Sequence, residues 1–298
     1  MATAPPHGPV SLWDAADPAR PRLISTIPGR TGRLVFSPDG RTLAVNVGLG
    51  SEFELWTIAD RSAPAFLSIV ADPVHGRLTT MAFGRDGRTL ATVGDPDMNA
   101  LWDIGDPIHP RRTAPLLPDP SVPPSTLGPP RLLQAVAFSP GRDLVAVGER
   151  DGTVLLWDAT DPARPRLATR IADQTSEIRS VDFSPDGRML VAGSYDRTLM
   201  VWDLTDVTAP QRLTAVSAYD DDFGQTVFGP DAGTLVTVNV VNALKARPAA
   251  TVRDVSGLRD AVSDPRGLAC DLAGELAPTV WARLVPAVPF RHTCSGLS

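Results

Sequence analysis

The sequence predicts an all-β fold in which one small antiparallel sheet is repeated along the chain. Three observations predict it. The hexapeptide FSPDGR occurs at Phe36 to Arg41 and again at Phe183 to Arg188, with degenerate copies starting at Phe83, Phe138 and Phe228. A tryptophan follows 19 or 20 residues after each of the first four Phe, at Trp56, Trp102, Trp157 and Trp202, and Trp13 precedes the series. A proline lies eight residues beyond each of these five tryptophans, at Pro21, Pro64, Pro110, Pro165 and Pro210. The Phe-to-Phe spacings are 47, 55, 45 and 45. Three markers in phase define a tandem array, not a bias of composition.

The elements of one unit follow from EIRSVDFSPDGRMLVAGSYDRTLMVWDLTDVTAPQRL. Ser180 to Ser184 alternates and is rich in strand formers. Ser184-Pro185-Asp186-Gly187 is a tight turn: Pro presets φ, Asp bonds to nearby backbone and Gly accepts positive φ. Met189 to Gly193 is a second apolar strand, and Tyr195-Asp196-Arg197 a second turn. Leu199 to Asp203 is the third strand and Arg212 to Val216 the fourth. The repeated Pro fits the outer end of the unit, because it cannot donate to a ladder and blunts an exposed edge.

Such a sheet is apolar on both faces and cannot persist alone. Radial stacking buries both faces, so the expected architecture is a β-propeller of four-stranded blades. Five units with an inner strand are legible, plus a partial one at the N-terminus. The strand Arg22 to Ile27 either pairs with the last unit and closes a five-blade ring, or belongs to a larger ring that the chain enters part-way through a blade. The second is favoured, since opening on a third strand otherwise wastes it. The third strand of the eroded last unit is placed at Ala250 to Val255. Residues 1–255 are read as the propeller and 256–298 as a tail with a short helix over Pro278 to Leu284.

These residues resemble the WD-repeat β-propellers. The carriers are FSPDGR and the two runs Asp151 to Asp158 and Asp196 to Asp203, each ending in Trp-Asp. The segment Leu268 to Cys294 resembles the tail of bacterial WD-repeat signalling proteins, where a propeller follows a STAND-type NTPase. The resemblance implies a non-catalytic scaffold or sensor that binds a protein or peptide partner. One family feature is missing. A Gly-His pair normally precedes each inner strand, and its His joins the turn Asp to the Trp. At that offset this chain has Gln174, Val74, Pro129 and Tyr219, so Asp151 and Asp196 are expected without their usual partner. The structural repeat positions are therefore Trp13, Trp56, Trp102, Trp157, Trp202, Asp151, Asp196, Phe36 and Phe183.

Composition narrows the function classes. The chain has 298 residues, 43% apolar and 21% charged, with a formal net charge of -6. Nucleic acid is disfavoured as a partner because a duplex needs clustered positive charge. No segment reads as a signal peptide or a membrane span. Lys245 is the only Lys, and the Ala, Pro, Gly and Arg content suits a GC-rich bacterial genome. The expectation is a cytoplasmic bacterial protein without cofactor or metal.

Candidate chemistry is sparse. Asp39, Asp86, Asp186 and Asp231 are explained as turn formers, and the Asp after each Trp as structural. His7, His75, His109 and His292 do not recur in register. Cys270, His292 and Cys294 offer three zinc ligands where a structural site takes four. Asp220-Asp221-Asp222 reads as a solvated loop. No phosphate-binding GxxxxGK[ST] and no GxSxG is present. Leu116 to Arg131 is a Pro-rich insertion, either a linker or a partner-binding extension. The alternatives to a scaffold are a hydrolase- or lactonase-like propeller with a channel site, or a degenerate fragment without activity.

Overall fold

The computed structural model describes residues 1–3, 8–17, 19–29, 31–47, 50–71, 76–116, 132–217, 223–239 and 250–256. They form six antiparallel meanders in a propeller ring. The first sheet is β1 (Ala2–Thr3), β2 (Val10–Asp14) and β3 (Arg22–Ile27). The second is β4 (Thr31–Phe36), β5 (Thr42–Val47), β6 (Phe53–Thr57) and β7 (Ala65–Val70). The third is β8 (Leu78–Phe83), β9 (Thr89–Gly94), β10 (Ala100–Asp103) and β11 (Arg111–Pro115). The fourth is β12 (Leu133–Phe138), β13 (Leu144–Glu149), β14 (Val154–Asp158) and β15 (Arg166–Ile171). The fifth is β16 (Ile178–Phe183), β17 (Met189–Ser194), β18 (Thr198–Asp203) and β19 (Gln211–Ser217). The sixth is β20 (Phe223–Phe228), β21 (Thr234–Asn239) and β22 (Ala250–Asp254). A single 3-10 turn, Pro96–Met98, is the helical element among the described residues.

The five-blade alternative does not form, and the ring is larger, as favoured, with six sheets. Arg22–Ile27 pairs with Val10–Asp14, not with the last unit, and completes a sheet of its own. Leu12 and Val10 of that sheet pack on Leu43 and Val45 of the next, which gives the partial N-terminal unit its own interface. The proposed tail, 256–298, and its helix at Pro278 to Leu284 lie outside the described residues, apart from Ser256.

Burial follows position within the sheet. β9, β13 and β17 are buried at every residue, as second strands covered on both faces. Their continuous apolar text, such as LVAVG in β13, reflects that double cover. The outer strands are mostly exposed or half-buried. Among the described residues five apolar clusters join the sheets, each between two successive ones. Leu90, Phe53 and Trp102 join the second and third sheets, and Trp202, Leu190 and Leu156 the fourth and fifth.

The phase-locked markers have local causes. Each Trp follows a β-bulge against the outer strand, at Leu12/Trp13, Leu55/Trp56, Leu101/Trp102, Leu156/Trp157 and Val201/Trp202. Each repeated Pro stands immediately before the outer strand, where no ladder donor is needed. The Asp after Trp closes a turn: Asp158 Oδ1 accepts from Thr160 N at 2.9 Å, and Asp203 Oδ1 from Thr205 N at 2.6 Å. The fourth residue of the outer strand then clasps the next sheet. Ser25 Oγ donates to Arg61 O at 2.6 Å, Ser68 Oγ to Pro107 O at 2.6 Å, and Thr169 Oγ1 to Thr208 O at 3.3 Å.

The FSPDGR turn needs its glycine. Gly40 and Gly187 have φ of +65° and +69°. At Gly187 a side chain would also stand 2.5 Å from Ser139 Oγ of the neighbouring turn. The degenerate copy keeps the geometry at a cost, since Ala232 adopts φ +57°.

Candidate functional site

Several of the repeat positions make hydrogen bonds within their own turns and sheets. In FSPDGR, Asp39 Oδ1 accepts from Ser37 Oγ at 2.6 Å and Arg41 N at 3.0 Å, and these bonds hold its carboxyl below the usual range. Asp186 repeats the pattern with Ser184 Oγ at 2.6 Å and Arg188 N at 3.0 Å. Asp86 binds Thr89 Oγ1 and Asp231 binds Thr234 Oγ1, both at 3.0 Å. Asp151 accepts from Thr153 N at 3.0 Å. Phe183 is buried, whereas Phe36 is 40% exposed. Phe36 borders the first sheet, which has no inner-row strand among the described residues to cover it.

The network expected to be missing is rebuilt with other groups. Gln174 is buried, and its Nε2 donates to Thr198 Oγ1 at 3.1 Å and Thr198 O at 3.2 Å. Trp202 Nε1 donates to Asp173 Oδ2 at 3.0 Å. Asp196 accepts from Thr198 N at 2.8 Å and Thr175 Oγ1 at 3.0 Å. Burial pushes the Asp196 carboxyl up, but bonds from Thr198 and Thr175 outweigh it and hold the pKa below normal. Val74, Pro129 and Tyr219 lie outside the described residues.

His109 pairs with Asp106 at 2.9 Å on an exposed turn. Among the described residues no group of three or more His, Cys, Asp and Glu is placed to hold a metal. Cys270, Cys294, His292, His7, His75 and Asp220 to Asp222 are outside the described residues, as is the insertion from 117 to 131. Leu116, read as its first residue, is instead buried in the core between the third and fourth sheets.

What the repeats enclose is a channel. Inner strands β4, β8, β12, β16 and β20 line a cavity of about 640 Å³. Val35, Ala82, Ala137 and Val227 occupy one equivalent row of its wall, and Asp182 takes the same place in the fifth sheet. Asp182 Oδ2 accepts from Phe228 N at 2.8 Å, tying β16 to β20. Burial raises its pKa to about 6. Two residues earlier in each inner strand, the row reads Arg33, Thr80, Ala135, Ser180 and Gln225. Arg33 opens to the solvent of the channel with protein around it. Burial, and next the charge of Arg179, lower its pKa.

The mouth nearest Arg33 has a built rim. Arg179 Nε lies 3.0 Å from Glu177 Oε1, and its guanidinium stacks 4.9 Å above the Tyr195 ring. Arg150 Nε approaches Glu177 Oε2 at 3.9 Å. Tyr195 is exposed, in the connection between β17 and β18. Arg33, Asp182 and the Arg179–Tyr195 stack escaped the sequence reading. The available signal was departure from the repeat: a charge at one inner-strand position where the other copies carry Val, Ala, Ser, Thr or Gln.

Residues 126–158 and 166–203 match the family model described as WD domain, G-beta repeat. The second match begins on β15 and ends on β18, so one sequence unit joins the outer strand of a sheet to the first three strands of the next. With the six-sheet ring, these matches support a WD-repeat propeller. A search of curated proteins found no match.

Proposed function

We propose that the chain is a non-catalytic protein-interaction scaffold or sensor module, acting in the cytoplasm as part of a bacterial signalling system. The observation that carries this reading is the rim at Tyr195 and Arg179. An exposed aromatic is held rigid under a guanidinium that Glu177 also fixes. Pre-positioned Tyr and Arg are the side chains that dominate protein interfaces, because little entropy is lost on docking. The ring supports it from below: several of its end connections are pinned by bonds from backbone N–H groups to Asp carboxylates. The described residues contain no helix long and apolar enough to cross a membrane.

The test is affinity capture from the native lysate with three baits: the wild-type chain, the double variant Arg179→Ala/Tyr195→Ala, and a chain lacking residues 118–130. A partner that docks on the rim is expected to drop about tenfold or more with the double variant. Loss only with the deletion moves the docking site to the Pro-rich insertion. A protein set that is the same for all three baits and for an empty resin defeats the scaffold reading.

A further inference from the structure

We propose that the Arg33 end of the channel is a binding site for a small organic oxyanion, a phosphate monoester or carboxylate, whose charged head sits between Arg33 and Arg179 and whose apolar body lies along Val35, Ala82, Ala137 and Val227. This goes beyond partner docking on the rim and does not depend on it.

The argument begins with an imbalance of charge. Arg150 and Arg179 share the single carboxylate of Glu177. Arg33 has no hydrogen-bond or ion-pair partner among the described residues. It stands on β4 and Arg179 on β16, and β8 and β12 separate these strands along the wall. The two strands therefore stand on opposite sides of the channel, Arg179 at its rim, and the charge of Arg179 is felt at Arg33. Repulsion between two guanidinium groups is relieved when an anion binds between them. An oxyanion converts that repulsion into two attractions. Guanidinium forks suit phosphate and carboxylate geometry, which accept paired N–H bonds.

Size and lining agree with a small molecule. A cavity of about 640 Å³ lies within the range of ligand pockets. Its wall combines an apolar row with the polar groups of Arg33, Thr80, Asp182 and Gln225, which can fix a ligand's orientation. Thr80 and Gln225 stand in the Arg33 row and offer neutral hydrogen bonds. Asp182, further along the channel, repels an anion and so sets the direction in which it binds. The chain's net charge of -6 does not attract anions from afar, so recognition rests on this local pair.

The experiment is calorimetric titration of the full chain with four probes: phenyl phosphate, phenylacetate, inorganic phosphate and benzyl alcohol. One-site binding of phenyl phosphate or phenylacetate is expected, and the tighter of the two assigns the head group. Benzyl alcohol is expected at least tenfold weaker, because it keeps the ring and lacks the charge. Arg33→Ala is expected to weaken the anion by about tenfold or more, and Arg33→Lys by less, since it retains charge without the fork. Arg33→Ala removes a repelled cation, so its thermal midpoint is expected to equal or exceed wild type. Loss of binding is then not loss of fold. The proposal is overturned if neither organic anion binds at millimolar concentration, if benzyl alcohol binds as tightly, or if Arg33→Ala binds unchanged. Equal affinity for inorganic and phenyl phosphate overturns the apolar subsite.

Discussion

At the scale of single residues, the five repeated tryptophans have one position and several solutions for the indole N–H. Trp13 Nε1 donates to Thr3 Oγ1, Trp56 to Glu54 Oε2, Trp102 to Thr92 Oγ1 and Trp202 to Asp173 Oδ2. Trp157 Nε1 is buried without a partner. Replacement by Phe removes similar volume at each site, so the difference between sites isolates the N–H bond. Trp202→Phe is expected to destabilise by about 1 kcal/mol more than Trp157→Phe, read from chemical denaturation midpoints. Equal losses would show that the Asp173 bond contributes nothing. Gln174→Ala is a second case. It strips the buried donor from Thr198 and is expected to cost about 1–3 kcal/mol. The sequence located every Trp, because phase with Phe and Pro is written along the chain. It did not reveal the replacement network, because Asp173 and Thr198 meet Trp202 and Gln174 through strand register, not through a motif.

At the scale of the element, strands were legible where apolar runs end in turn chemistry. The second strand, expected at Met189 to Gly193, spans Met189–Ser194, and the third, expected from Leu199, starts at Thr198. The last third strand, expected at Ala250 to Val255, spans Ala250–Asp254. The N-terminal strand was found as a segment, but its pairing was open, since an isolated strand carries no label for its neighbour. Inner strand β16 adds a testable electrostatic consequence. Asp182 titrates near 6 in the fold and near ~4 when unfolded. The folded chain thus binds this proton more tightly, so the group's stabilising contribution is full below about pH 4 and is lost as pH rises through about 6. Asp39, Asp158 and Asp196, held below their usual range by hydrogen bonds, act in the opposite sense and lose stability as pH falls. Wild-type stability alone therefore mixes both signs. Asp182→Asn keeps an acceptor for Phe228 N and removes the charge. It is expected to gain at most about 2–3 kcal/mol over wild type at pH 7.5, a gain that vanishes by pH 4. A difference independent of pH would place the effect in packing.

At the scale of the whole molecule, each apolar cluster belongs to two adjacent sheets, so stability is shared between nearest neighbours, as in a stack. The described clusters are largest between the fourth and fifth sheets and smallest at the first-to-second and fifth-to-sixth interfaces. The middle sheets have two such neighbours, and their second strands β9, β13 and β17 are wholly buried. This fixes an order of local opening. In native-state hydrogen exchange, amides of β13 and β17 are expected to be protected longest, and those of β2, β3, β21 and β22 to exchange first. Leu190→Ala, at the centre of the largest cluster, is expected to cost about 2–5 kcal/mol and to accelerate exchange in the fourth and fifth sheets together. The same substitution should leave the first sheet's rates nearly unchanged, since among the described residues no cluster connects them. Equal acceleration in every sheet would mean that the ring opens as one unit, and that coupling around the ring outweighs the pairwise contacts from which it is built.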